Sequence, residues 1–186
     1  MTASTPASCN DKGRRFQQEI AAMICGALDL PDADVISRPM GSPGADIILS
    51  TAAQVRFPFA TECKRAEKWE LHRWWQQAQN NAEPDNGIEP LLVFRRNREQ
   101  TYAITTPAAL DRFACAGMVI SHRGPAVKWP IKYWMRIAAA AQSPDTIPVV
   151  TIQNGSHVIA LMLFADLLRI IRPELAELAS RGGDQP

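Results

Sequence analysis

The run Gly41-Ser42-Pro43-Gly44-Ala45-Asp46-Ile47-Ile48-Leu49-Ser50, followed by Phe59-Ala60-Thr61-Glu62-Cys63-Lys64-Arg65, decides how the rest of the chain is read. The first part is a glycine-rich loop entering a strand. The second is an apolar strand interrupted by a Glu and a Lys two positions apart. Side chains alternate along a strand, so Glu62 and Lys64 share a face and Cys63 takes the other. A turn at Val55 to Pro58 would join the two strands as a hairpin and set Asp46 beside Glu62. Two carboxylates and an ammonium on one sheet face are costly to bury. The arrangement makes sense when a divalent cation sits between the carboxylates and the lysine faces a reacting phosphate.

Around this pair of strands stand Lys12-Gly13-Arg14-Arg15-Phe16-Gln17-Gln18, Met40-Gly41-Ser42, Gln77-Ala78 and Pro90-Leu91-Leu92-Val93-Phe94. With Gly44-Ala45-Asp46 and Glu62-Cys63-Lys64 in place, the chain resembles the PD-(D/E)XK nuclease superfamily. Within it the chain is similar to phage-type Holliday junction resolvase-like endonucleases, over roughly residues 12–105. Ala45 occupies the place where the signature often has Pro. The resemblance implies an α/β fold: a restriction-endonuclease-like core, with a mixed central sheet flanked by helices. It implies Mg²⁺-dependent hydrolysis of DNA phosphodiesters, in branched DNA and so in DNA recombination.

Under that resemblance Asp46, Glu62 and the backbone carbonyl of Cys63 would hold the metal, as hard oxygen ligands that suit Mg²⁺, with Mn²⁺ as a substitute. Lys64 would orient the attacking water or stabilise charge developing on the phosphate. Related resolvases place a metal-facing Glu near the start of the first helix. The matching position here is Gln17, and Glu19, the nearest carboxylate, lies about 200° around the helix from it. They also place a glutamine near the metal site, matched by Gln77, and a loop serine near the scissile phosphate, matched by Ser42. Ser42 serves equally well as plain turn chemistry. The implied assembly is a homodimer on DNA, in the cytoplasm of a bacterial host cell if the chain is phage-encoded. Two alternatives stay open. One is a duplex or single-strand nuclease of restriction or exonuclease type. The other, drawn from Gln17 standing where an acid is expected, is a DNA-binding module with a dead site.

Composition is compatible with these readings. The 186 residues carry a net charge of +1, with 46% hydrophobic and 21% charged residues, ordinary values for a soluble domain with a core. Local clusters matter more than the total, and Arg14 with Arg15, Arg65, and the turn Arg95-Arg96-Arg98 are candidate DNA contacts. Cys9, Cys25, Cys63 and Cys115 have no metal-ligand spacing and read as reduced thiols of a cytosolic protein. No apolar run is long enough to span a membrane. His72, His122 and His157 are scattered, which gives no sign of a histidine-based hydrolase, and no phosphate-binding Gly loop followed by Lys-Ser/Thr is present.

Taken in order, residues 1–11 read as a disordered terminus. Residues 12–116 read as the nuclease core, 117–178 as a C-terminal βαββα extension, and 179–186 as a flexible tail. Asp11 is placed to cap a helix from Lys12 to Leu28, with Phe16, Ile20, Met23, Ile24 and Ala27 on its stripe. A second helix near Lys68 to Ala82 buries Leu71, Trp74, Trp75 and Ala78, leaving Trp69 as a surface contact. Strands are expected at Leu91 to Phe94 and Tyr102 to Thr105, then a short helix from Pro107. Residues 117–172 read as a degenerate repeat of 57–113. At an offset of 60, Lys128, Trp129, Ile131 and Trp134 fall on Lys68, Trp69, Leu71 and Trp74, while Glu62 and Lys64 fall on His122 and Gly124.

Overall fold

Phe16, Gln17, Ile20, Ala21, Ile24, Cys25 and Leu28 recur at three- and four-residue spacing, and all are buried. They form the inner face of helix α1 (Pro6–Leu28). The computed structural model describes residues 6–83, 86–113, 119–123, 135, 146–154 and 157–172. Helix α1 begins before the expected Lys12, and residues 6–11, expected to be disordered, are its first turns. Pro6 suits that start, because the first N–H of a helix has no partner within the helix. Asp11 therefore lies inside the helix and does not cap it.

The chain divides into two compact units, Met1–Glu99 and Gln100–Pro186. In the first, β1 (Val35–Ser37) pairs antiparallel with β2 (Ile47–Leu49), Val35 opposite Leu49 and Ser37 opposite Ile47. The expected hairpin between β2 and the next strand does not form. Thr51–Arg56 is a short helix, α2, whose N-cap Ser50 accepts a hydrogen bond through Oγ from Ala53 N at 3.1 Å. A serine followed by Thr-Ala-Ala-Gln is a helix start, and that local preference overrides the turn that Pro58 suggested.

Strand β3 (Phe59–Arg65) pairs instead in parallel with β4 (Glu89–Arg95), from Phe59 opposite Glu89 to Arg65 opposite Arg95. Helix α3 (Leu71–Asn80) is the crossover that a parallel pair requires, and it buries Trp74, Trp75 and Ala78. Trp69 is not a free surface ring. Its indole meets Phe94 edge-on at 5.2 Å and Trp74 at 6.2 Å, and the Arg96 guanidinium sits 5.8 Å from its centroid. Flanking β3, the Pro58 carbonyl and Ala66 N–H bond to Glu89 and Arg95, at the two ends of β4. The Thr61 carbonyl instead accepts from Asp46 N at 2.8 Å. Alternate residues of β3 thus turn their backbone polar groups to opposite sides, and the odd-numbered ones face Asp46.

In the second unit the strand order is β5 (Tyr102–Thr105), β8 (His157–Leu163), β7 (Thr146–Asn154), β6 (Val119–Arg123). Helix α4 (Pro107–Asp111) follows β5, capped by Thr106 Oγ1 on Ala109 N at 3.0 Å, and α5 (Phe164–Ile171) follows β8. Strands β7 and β8 are antiparallel, as are β5 and β8, while β6 and β7 are parallel with an irregularity between Ser121 and Arg123. The second unit thus takes in β5 and α4, which the sequence placed at the end of the core. Between β6 and β7 the expected Lys128 to Ala141 helix lies outside the described residues except for Met135, which is helical and buried. Residues 173–186 also lie outside them. No described helix is long and apolar enough to cross a membrane.

The α2 cap can be tested by itself. Ser50→Ala is expected to lower unfolding free energy by about 1 kcal/mol in urea titration, with Ser50→Asp close to wild type. Equal stability of all three would show that the cap does not hold this helix start.

Candidate active site

Asp46 is placed by the loop in front of β2. Gly41 and Gly44 adopt φ of +83° and +99°, the left-handed region open to glycine. A Cβ on Gly44 would also lie 3.3 Å from the Arg38 guanidinium. Arg38 closes the loop twice, its Nε donating to the Ala45 carbonyl at 2.6 Å and its backbone N to the Asp46 carbonyl at 2.7 Å. The Asp46 side chain then reaches two other elements. Its Oδ2 accepts from Cys63 N at 2.7 Å, and its Oδ1 from Gln17 Nε2 at 2.7 Å.

Glu62, on the same strand as Cys63, is 1% exposed and accepts at both oxygens. Lys64 Nζ donates to Oε1, and Asn81 Nδ2, just past the end of α3, donates to Oε2 at 3.1 Å. Glu62 and Lys64 meet on one face, as strand alternation requires. The Cys63 side chain is buried, and burial, with the charges of Asp46 and Glu62, pushes its thiol well above the usual range. It stays a neutral thiol and not a nucleophile. Its carbonyl shares the direction of its N–H and so faces the Asp46 side of β3.

Gln17 is 5% exposed on the apolar face of α1, and its Oε1 has no hydrogen-bond partner. Glu19 is turned away. Its carboxylate takes both guanidinium nitrogens of Arg95 at 2.6 and 2.5 Å, and that guanidinium lies 4.8 Å from the Phe16 ring centroid. Gln77 is exposed on α3. Asn81, one turn further on, is the α3-end residue that contacts the site, and its one-turn spacing from Gln77 was a usable signal that the sequence analysis did not take up.

The other expected contacts are dispersed. Ser42 is exposed in the loop, its N–H bonded to the Pro39 carbonyl at 3.2 Å, and Arg14 and Arg15 are exposed on α1. Arg65 donates to Asn97 Oδ1 at 3.3 Å, and Arg96 pairs with Glu99. Arg98 is exposed with φ of +61°.

Asp46, Glu62 and the Cys63 carbonyl are three hard oxygen donors on adjacent backbone, a set that fits Mg²⁺ or Mn²⁺. Burial raises both carboxyls. For Asp46 the N–H of Cys63 and then the Lys64 charge work against that rise. Glu62 is pushed up to about 7, by burial first and then by the Asp46 charge, with Lys64 opposing. In metal-free protein the folded state therefore keeps a proton that the unfolded chain releases above about pH 4.5. Stability in EDTA is expected to fall as pH rises from 4.5 towards 7, by about 1 kcal/mol per unit at the steepest, and Glu62→Gln to flatten the curve. Identical melting curves of wild type and variant across that window would contradict the raised carboxyl.

The sequence model of the family described as "Phage putative PDDEXK endonuclease" matches residues 10–111. No curated protein and no solved structure matches the chain. The matched span covers more than half of the sequence and contains Gln17, Asp46, Glu62, Lys64 and Asn81, so the chain belongs to this family of PD-(D/E)XK endonucleases.

Proposed function

We propose that the protein is a divalent-metal-dependent deoxyribonuclease that hydrolyses phosphodiesters of branched DNA. The observation that carries the metal dependence is the convergence of Asp46 and Glu62 on either side of the Cys63 peptide, with Lys64 on Glu62. The branched substrate rests on the sequence resemblance to Holliday junction resolvases.

A bound Mg²⁺ supplies Lewis acidity toward the phosphate and a water of lowered pKa. The chain's own residues do the rest. Asp46, anchored at both oxygens, offers its remaining lone pairs in a fixed direction. Glu62, pushed up to about 7, would hold the cation only in its deprotonated form, so metal affinity is expected to rise with pH through neutrality. Lys64, paired with Glu62 in the metal-free site, would stabilise the charge that grows on a phosphate oxygen in the transition state.

The surface cations divide by their partners. Arg95 and Arg96 are held by Glu19 and Glu99, whereas Arg14, Arg15 and Arg98 are exposed and are the phosphate contacts of this reading. Arg14 lies three residues before Gln17, one turn nearer the start of α1.

Cleavage assays on a four-way junction, a duplex and a single strand, with Mg²⁺ and with EDTA, test the proposal. Asp46→Ala is expected to abolish cleavage, and Lys64→Ala to lower turnover on the order of 100- to 1000-fold at saturating Mg²⁺. Wild-type rates in Asp46→Ala would refute the site. Binding of all three DNAs without cleavage would favour the dead-site alternative that Gln17 suggests. Replacing Arg14 or Arg15 by Gln should flatten the slope of log K against log[salt] by roughly one unit each, while Arg95→Gln should leave it unchanged.

A further inference from the structure

Each of the four carboxylate oxygens at the site has its own donor, and three of the four donors are neutral. Gln17 Nε2 and Cys63 N serve Asp46, Asn81 Nδ2 serves Glu62 Oε2, and only the Lys64 ammonium, on Glu62 Oε1, carries charge. The Gln17 contact also orients its amide. Turned over, the amide would set Oε1 against the Asp46 carboxylate, oxygen on oxygen, so Nε2 must face Asp46. Oε1 is then left as a buried acceptor without a partner, on the same amide and beside the carboxylates. A buried acceptor calls for an ordered water or a cation, and beside two carboxylates a cation, or a water that it holds, satisfies all three together.

Charge limits how many cations the site can take. Asp46 and Glu62 against Lys64 leave one net negative charge, so one divalent cation makes the site singly positive and a second would leave three uncompensated positive charges in a largely buried place. A third carboxylate would change this, but Glu19 is committed to Arg95. Among the described residues no group of three or more His, Cys, Asp or Glu side chains could hold a metal.

We infer that Gln17 and Asn81 form a neutral amide clamp on Asp46 and Glu62 that fits the site to a single divalent cation, with Gln17 Oε1 as the third side-chain oxygen turned to it. The inference rests on the nuclease reading, and it makes Asn81 a positioning residue that acts through Glu62. Helix α3 ends at this residue, whose backbone N–H closes onto the Gln77 and Ala78 carbonyls, so its side chain is delivered to Glu62 from a fixed helix end.

The test is Mn²⁺ binding to the full chain without DNA, counted by the loss of the free-ion EPR signal and checked by calorimetry. One Mn²⁺ per chain is expected. Asn81→Ala should weaken it roughly 10- to 100-fold while the melting temperature in EDTA moves little, an outcome that a merely structural Asn81 would not give. Gln17→Glu should bind the first Mn²⁺ more tightly or admit a second. Gln17→Met, which suits the apolar face of α1 and keeps the fold in reach, should weaken binding with the count still at one. Two Mn²⁺ of similar affinity in the wild type would overturn the single-cation inference and leave the nuclease reading standing. Unchanged count and affinity in both Gln17 variants would remove Gln17 from the site. No Mn²⁺ uptake at all would overturn the metal-dependent reading and the inference with it.

Discussion

The Asp46 carboxylate accepts a backbone N–H from the middle of β3 at one oxygen and a side-chain amide from α1 at the other. A half-buried carboxylate can be held this way because each oxygen has a donor, which offsets part of its desolvation. The consequence is geometric. Helix α1, the loop before β2 and strand β3 are separate in sequence, and Asp46 pins all three at one point. The left-handed backbone at Gly41 and Gly44 and the Arg38 contacts are the local means by which the loop presents that one side chain.

Charge balance follows from the same point. Burial first, and then the field of the fixed Asp46, push Glu62 up to about 7. Lys64 is the counter-charge that keeps the pair tolerable without a metal. Like charges are thus brought together in a poorly solvated place, and this mutual repulsion is what the proposed divalent cation would relieve.

The basic turn after β4 illustrates how a charge cluster can mislead. Arg95, Arg96 and Arg98 look alike in sequence, yet Arg95 is bidentate to Glu19 over the Phe16 ring and Arg96 is shared between Glu99 and the Trp69 face. Their work is to fasten α1 and the turn to the edge of the first unit. Only Arg98 of the three remains exposed.

Adjacent residues were legible from the chain alone. Strand alternation placed Glu62 with Lys64, helical spacing placed Trp74, Trp75 and Ala78 in the core, and the glycines before Asp46 announced a loop with unusual backbone. These follow from local geometry, which repeats every two or 3.6 residues whatever the rest of the protein does. The α2 helix was legible too, in Ser50 and the residues after it, but a competing turn at Pro58 hid it. Contacts between distant segments were not. Nothing near Glu19 says that Arg95 will claim it, and the spacing of Asn81 from Gln77 puts it on the right side of α3 without saying that it meets Glu62. The stripe of Phe16, Ile20 and Ile24, legible in the sequence, sets the rotation of α1, but that Gln17 on its edge would meet the Asp46 carboxylate is a property of packing that no single helix contains.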